Sequence, residues 1–120
     1  MYGGQAVRAE MIMNVLNKHN PDADSLIEVG SGHGFFIDEI LKIKKFNIVT
    51  AIEPTNALAK SLSIKGIDVI NDLIENVDIS YHNQYDLLVN CEVIEHLFSP
   101  SDFLIKCRDL LKKKGILFIT

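Results

Sequence analysis

The sequence predicts an α/β fold in which helices cover both faces of a doubly wound, mostly parallel five-stranded sheet. Short apolar runs alternate with helical patterns along the chain, and these runs are nearly continuous, as in strands buried on both faces. A glycine-rich turn, EVGSGHG, follows the first run. Sheets of this kind bind ligands beyond the carboxyl ends of their strands, where the strand order reverses.

The N-terminal segment predicts a helix over residues 5–19. Val7, Met11 and Val15 form an apolar stripe at four-residue spacing. The turn-forming residues N-P-D that follow end the helix.

The central part of the chain alternates strands with helices. Apolar runs predict four strands, at residues 26–29, 48–52, 67–70 and 86–89. Two helices lie between the first three strands. The first covers 35–42, with Phe36, Ile37, Ile40 and Leu41 facing inward, and the second runs from about 55 to 65, where Gly66 ends it.

The last part predicts one helix and a fifth strand. The segment S-P-S-D at 99–102 begins the helix, because Ser caps it, Pro suits its first position and Asp complements the exposed amides. Gly115 ends this helix, which places the basic run Lys112–Lys114 near its end. Residues 116–119 form the strand.

Length and composition predict one domain, residues 1–120, with an N-terminal helix and linker (1–24) before the α/β core (25–120). The net charge of −4 favours neither nucleic acid nor an anionic membrane. No apolar run approaches the ~20 residues of a membrane span, and the N-terminus lacks a signal-peptide pattern. Cys91 and Cys107 form neither a disulfide framework nor a metal pattern. We therefore expect a cytoplasmic protein.

The glycine turn predicts a nucleotide site. Gly30, Gly32 and Gly34 differ from the dinucleotide pattern G-x-G-x-x-G, whose last glycine would stand where this chain has Phe35. This spacing disfavours NAD. Glu28, before the first glycine, suits a cationic or hydrogen-bond-donating ligand. Glu53, at the end of the second strand, can accept both hydroxyl groups of an adenosine ribose. We expect His33 in the same turn to be exposed rather than catalytic.

Four motifs together resemble class I S-adenosylmethionine-dependent methyltransferases: EVGSGHG, Glu53, N-D at 71–72 and CEVIEHL after the fourth strand. The resemblance covers about Ser25 to Thr120. It implies a Rossmann-like sheet of strand order 3-2-1-4-5. The two further strands of that family are absent, so the chain resembles a core truncated after strand five.

The resemblance also implies cofactor-binding roles. The loop glycines and Glu28 would contact the methionine part of S-adenosylmethionine, and Glu53 would bind its ribose. Asp72 would reach the adenine amino group, and the backbone of Cys91 would lie near the methionine part. S-adenosylhomocysteine would be the product.

The EVIEHL segment leaves three interpretations open. Glu92, Glu95 and His96 fall at i, i+3 and i+4, so they share one face of a helical turn. They could bind a divalent metal, His96 could act as a general base, or the residues could only satisfy local backbone. The segment resembles both ubiquinone-biosynthesis O-methyltransferases and small-RNA 2′-O-methyltransferases. In the latter, a further histidine after strand five completes the metal site.

The predicted function is S-adenosylmethionine-dependent methyl transfer to a small-molecule acceptor, at a hydroxyl oxygen. As a cofactor-binding core or fragment, the chain is expected to bind cofactor more readily than it turns over substrate. Two alternatives are a non-catalytic module that binds an adenosine ligand or docks a partner, and a metal-assisted RNA 2′-O-methyltransferase core. The exposed edge of strand five predicts a homodimer. No membrane or nucleic-acid partner is expected.

Overall fold

The computed structural model describes residues 2–90 and 99–119. The helices are α1 (Tyr2–His19), α2 (Phe35–Ile43), α3 (Asn56–Ser63) and α4 (Pro100–Leu110). The strands are β1 (Ser25–Val29), β2 (Ile48–Ile52), β3 (Asp68–Ile70), β4 (Tyr85–Asn90) and β5 (Leu111–Ile119). Two short 3₁₀ helices, Ile74–Asn76 and Ile79–Tyr81, connect β3 to β4.

The five strands form one parallel sheet of order β3-β2-β1-β4-β5. The predicted fold class and strand order are therefore confirmed. The order reverses between β1 and β4, because the chain builds outward from β1 to β3 and then crosses to the other side. The edge at which such a sheet binds ligands, called the ligand edge below, therefore lies at the carboxyl ends of β1 and β4.

One face of the sheet is covered by α1, α2 and α3. The residues of α1 that enter this core are spaced at i, i+3, i+4 and i+7: Ala9, Ile12, Met13 and Leu16. The predicted stripe of Val7, Met11 and Val15 is wrong as a core face, because these side chains are 56%, 51% and 36% exposed. Four residues advance a helix by about 400°, so a stripe of strict four-residue spacing drifts around the helix.

Helix α2 packs on the same face much as predicted. Phe36, Ile37 and Ile40 are buried, but Leu41, also predicted to face inward, is exposed. Leu41 follows Ile40 directly and so points about 100° away from it. The Asp38 carboxylate of α2 pairs with Lys65 Nζ at 3.0 Å, which links α2 to the residues after α3.

The opposite face packs against α4. Phe103, Cys107 and Leu110 contact an apolar layer that includes Ile27 and Leu88 of the central strands. Burial raises the pKa of the Cys107 thiol to about 12, because a thiolate would have to leave water.

Helix α4 begins as predicted but ends earlier. The Ser99 hydroxyl accepts a hydrogen bond from the Asp102 amide at 3.3 Å. The helix ends at Leu110 rather than at Gly115, and the basic run Lys112–Lys114 lies in β5 instead of at a helix end. Leu111 is already extended and pairs with Tyr85 of β4, and regular pairing resumes only between Leu87 and Ile116. This irregularity in the pairing of β4 with β5 accommodates residues 112–115.

A polar cluster at the amino ends of β1 and β4 contacts the beginning of β5. One oxygen of Asp86, Oδ2, accepts hydrogen bonds from the Asp24 amide and from the amide and hydroxyl of Ser25, at 2.9–3.2 Å. Its Oδ1 lies 3.3 Å from Lys112 Nζ. Burial raises the pKa of Asp86, but the hydrogen bonds from Asp24, Ser25 and Lys112 together outweigh it and lower the pKa below 3.8.

Strand β5 forms one edge of the described sheet, and its apolar residues 116–119 are only half-buried. The homodimer through this edge stays a prediction, as do the domain boundaries. None of the helices in residues 2–90 and 99–119 is both long and apolar enough to cross a bilayer.

Candidate functional site

The carboxyl ends of β1 and β2 lie side by side at one edge of the sheet. The parallel register pairs Val29 with Ile52, and the Gly30 amide donates to the Ile52 carbonyl at 2.8 Å. Glu53 is the next residue along β2. The register of the two strands therefore brings this acid next to the glycine loop, Gly30–Gly34, which follows β1.

All three glycines of the loop have left-handed backbone conformations, with φ of 73° at Gly30, 56° at Gly32 and 80° at Gly34. Side chains disfavour this region, so the conformation requires glycine. A Cβ on Gly34 would lie 2.8 Å from Leu62 Cδ2 and from Lys65 Cε, whereas a Cβ on Gly32 would meet nothing within 4 Å. Gly34 therefore permits close packing against α3, and Gly32 leaves the middle of the loop accessible to a ligand.

Glu53 joins the glycine loop to the start of α3. Its side chain is 5% exposed. Oε1 accepts a hydrogen bond from the Gly32 amide at 2.8 Å, and Oε2 accepts one from the Thr55 amide at 3.0 Å. Both are charge-assisted bonds to backbone donors, so Glu53 holds two loops in place. This structural role was not predicted from the sequence.

The backbone of Glu53 is held from the other side by β3 and the residue after it. The Glu53 amide donates to the Ile70 carbonyl at 3.0 Å. The Asn71 side chain donates to the carbonyls of Glu53 and Pro54, at 3.0 and 3.2 Å. Asn71 therefore fixes the direction in which the chain leaves β2.

Asp72 lies in the loop after β3 and is exposed. Its Oδ1 accepts hydrogen bonds from the Asn76 side chain at 2.8 Å and from the Leu73 amide at 2.7 Å. These bonds, that from Asn76 first, hold the pKa of the Asp72 carboxyl below 3.8. The carboxylate is thus ionised and fixed in direction. Its predicted contact with an adenine amino group stays a prediction.

Glu28 lies in β1 directly before the loop and is 3% exposed. The Ser31 hydroxyl donates to the Glu28 carbonyl at 3.4 Å. Two buried acids, Glu28 and Glu53, therefore flank the loop glycines. His33 is exposed, as expected, and its ring stacks on Phe35 with centroids 5.5 Å apart.

The CEVIEHL segment falls outside the described residues. The roles predicted for Cys91, Glu92, Glu95 and His96 therefore stay predictions. Within residues 2–90 and 99–119, no group of three or more His, Cys, Asp or Glu side chains could hold a metal ion.

Asn90, the last residue of β4, is a further buried polar residue near this edge that was not predicted from the sequence. It is 5% exposed, and its Oδ1 has no hydrogen-bond partner among the described residues. The available signal was a polar residue that ends the otherwise buried run of β4, next to CEVIEHL.

Comparison with known protein families shows the family to which this chain belongs. The model of the methyltransferase domain family matches residues 27–117. The chain belongs to this family. The match includes Glu28, the glycine loop and Glu53, so the edge described above is the corresponding edge of a methyltransferase domain.

Curated relatives of this methyltransferase domain include ubiquinone biosynthesis O-methyltransferases. The protein from Rickettsia canadensis is 29% identical over 122 residues, which cover 95% of this chain and 50% of the relative. The protein from Roseobacter denitrificans is 54% identical over 33 residues, which cover 28% of this chain and 13% of the relative. The chain spans half or less of the length of these relatives.

Solved structures share the fold of this methyltransferase domain. The plantazolicin methyltransferase BpumL, in complex with SAH, superposes with a TM-score of 0.85 at 18% identity, over 97% of this chain and 46% of that chain. A putative S-adenosyl-L-methionine-dependent methyltransferase from Methanococcus maripaludis gives a TM-score of 0.78 at 20% identity, over 95% and 53% of the two chains.

Proposed function

We propose that this methyltransferase domain binds S-adenosylmethionine and contributes to methyl transfer to a small-molecule acceptor. The observation that carries the proposal is the buried Glu53 carboxylate, held against the glycine loop at the ligand edge of the sheet. Two structures that share its fold support the same cofactor, since one is described as S-adenosyl-L-methionine-dependent and the other is a complex with SAH.

The hydrogen bonding of Glu53 fits a ribose. A carboxylate oxygen can accept about two hydrogen bonds, and each oxygen of Glu53 accepts one from the backbone, from Gly32 or Thr55. Each oxygen therefore keeps one lone pair for a further donor. Two adjacent hydroxyl groups, as on an unphosphorylated ribose, complement such a carboxylate, whereas a phosphate would be repelled by it.

The rest of the edge fits the cationic end of the same cofactor. Glu28 is a buried acid beside a loop whose glycine backbone a ligand can approach closely. An ammonium or sulfonium group is favoured next to such an acid, and the pyrophosphate of a dinucleotide is not. When bound, the cofactor would supply a methyl group on a good leaving group. The chain's task is then to bind and align it.

For the acceptor we propose a small-molecule hydroxyl group. The support is the relatedness to ubiquinone biosynthesis O-methyltransferases, together with the E-x-x-E-H pattern at 92–96. In this proposal His96 takes the proton of the hydroxyl group, and a divalent metal at Glu92, Glu95 and His96 is the alternative.

Calorimetric titration with Mg²⁺ and Mn²⁺ tests the metal alternative. This alternative is rejected if no heat appears with or without cofactor.

Isothermal titration with S-adenosylhomocysteine tests the cofactor proposal. We expect saturable binding by the wild type and a roughly 10- to 100-fold weaker affinity in Glu53→Gln, because a neutral amide replaces a charged acceptor. Asp22→Asn, which changes an exposed acid near the opposite edge of the sheet, should bind like the wild type. Titrations belong at a temperature where circular dichroism finds every variant folded. Absence of binding by the wild type would reject the proposal.

A further inference from the structure

A concave groove lies at the amino ends of β4 and β5, beside the carboxyl end of α4. Its volume of about 570 Å³ is in the range of small-molecule sites. The residues of this basic groove that bear on its charge are His82, Arg108, Asp109, Lys112 and Lys113. Because the strands are parallel and β4 has six residues, about 20 Å separates the basic groove from the ligand edge.

A bulge in β5 supplies two of the cations. From Leu111 to Ile116 the strand advances five residues, while its partner β4 advances two, from Tyr85 to Leu87. The bulge is tight, since a Cβ on Gly115 would lie 3.0 Å from the Lys112 carbonyl oxygen. The exposed side chains of residues 112 and 113 therefore come from a compact turn of the strand.

The carboxyl end of α4 does not account for these lysines. Cations complement the dipole at such an end, and they can also donate to its last carbonyls. In this fold the carbonyls of residues 108–110 already accept hydrogen bonds from backbone amides, at 2.8 Å for Asp109 and 3.1 Å for Leu110. The helix end therefore does not need a lysine as a hydrogen-bond donor.

Neighbouring carboxylates compensate the cations only in part. Lys112 Nζ lies 3.3 Å from Asp86 Oδ1, which holds this lysine in place. Arg108 Nη2 lies 3.8 Å from Asp109 Oδ1, and the Arg108 side chain is 76% exposed. Lys113 forms no ion pair with any residue in 2–90 or 99–119. An ammonium group has three N–H donors and a guanidinium group five, so most of these donors are available to a ligand.

We propose that the basic groove binds a small anion that carries phosphate groups, with diphosphate as its simplest form. Arg108, Lys112 and Lys113 stand against the carboxylates of Asp86 and Asp109, which leaves a surplus of positive charge. Since the whole chain carries −4, this surplus is local and not part of a generally basic surface. Arginine and lysine side chains form strong, charge-assisted hydrogen bonds to phosphate oxygens. The inference does not rest on the function proposed above.

Isothermal titration with inorganic pyrophosphate at an ionic strength of about 0.15 M tests the inference, because remote charges are then largely screened. We expect saturable binding by the wild type. Lys113→Gln should weaken it about 3- to 10-fold, because this lysine has no ion pair to offset its charge. Asp109→Asn should strengthen it by a similar factor, because the variant removes a carboxylate that lines the groove.

Three controls accompany the titration. Lys60→Gln, at an exposed lysine of α3 on the other face of the sheet, should bind pyrophosphate like the wild type. Lys113→Gln should unfold at the same urea concentration as the wild type, whereas a role in ending α4 would lower that concentration. Sedimentation with phosphatidylglycerol vesicles, against phosphatidylcholine vesicles, separates a free anion from a lipid headgroup, and we expect no binding to either.

Three results would overturn the inference. The first is no saturable binding by the wild type up to about 1 mM pyrophosphate. The second is binding that Lys113→Gln and Asp109→Asn leave unchanged, because the anion would then lie elsewhere on the protein. The third is binding to phosphatidylglycerol vesicles without binding of pyrophosphate, because the cations would then serve a membrane surface.

Discussion

Replacing Glu53 by Gln should destabilise the protein even without a ligand. In the wild type the two carboxylate oxygens accept hydrogen bonds from the amides of Gly32 and Thr55. A glutamine has the same shape but only one acceptor oxygen, and its NH₂ group would face the other amide donor. One backbone N–H would then lose its partner, and water could not easily replace that partner because residue 53 is only 5% exposed.

The expected loss follows from these two bonds. A hydrogen bond to a charged group contributes about 1.5–3 kcal/mol, and the surviving bond would become a weaker, neutral one. We therefore expect a loss of about 2–3 kcal/mol in the free energy of unfolding. At about 2.1 cal/mol/K per residue, the unfolding entropy of 120 residues is roughly 0.25 kcal/mol/K. The melting temperature should therefore fall by about 8–12 °C.

Urea unfolding followed by circular dichroism measures this loss, with Glu10→Gln at an exposed position of α1 as the matched control. Amide hydrogen exchange should also become faster at Gly32 and Thr55 in the Glu53→Gln variant. A loss below about 0.5 kcal/mol, the usual range for a surface substitution, would refute the bracing role of Glu53.

Three further predictions concern other parts of the fold. Gly34→Ala should destabilise the protein by about 0.5–1.5 kcal/mol more than Gly32→Ala in urea unfolding. Both positions are left-handed, but only at Gly34 must the ends of Leu62 and Lys65 move aside from a contact of 2.8 Å. Equal losses would contradict this. Burial raises the pKa of the Cys107 thiol to about 12, so in a Cys91→Ser background this thiol should react with a thiol reagent at pH 8 only after unfolding. Rapid labelling of the native protein would contradict its burial. Asp86→Asn should cost about 1–3 kcal/mol near neutral pH. Folding lowers the pKa of Asp86, so the difference in unfolding free energy between variant and wild type should be constant well above pH 3.8. It should shrink as the pH falls through the lowered pKa. A difference that grows in acid would contradict the prediction.

The strands and the glycine loop could be predicted because their signals are local. The central strands β1 and β4 are mostly apolar runs whose burial follows from their own residues, and the left-handed turn follows from glycines at alternate positions. The order of strands followed from the resemblance, and the register then brought Glu53 beside Gly32. The sequence could thus predict which acid lies near the loop, but not that the acid holds the loop.

The errors arise where a distant residue decides the local structure. Lys112–Lys114 suit a helix end by charge, and Gly115 suits a helix stop. Yet the chain is already extended at Leu111, because pairing with Tyr85 and the contact between Lys112 and Asp86 favour a strand. Asp86 lies 26 residues earlier, beyond the range of any local pattern. Local propensity and charge therefore gave the wrong end for α4, while its capped beginning was predicted correctly.

The buried polar residues Glu53 and Asn90 differ in how the described part of the fold uses them. Glu53 satisfies two backbone donors, so a variant at this position changes both folding and ligand binding. Asn90 has a buried oxygen without a partner in the described residues, so truncating it should leave stability intact or improved. A loss of ligand affinity in Glu53→Gln therefore counts only at a temperature where the variant is folded.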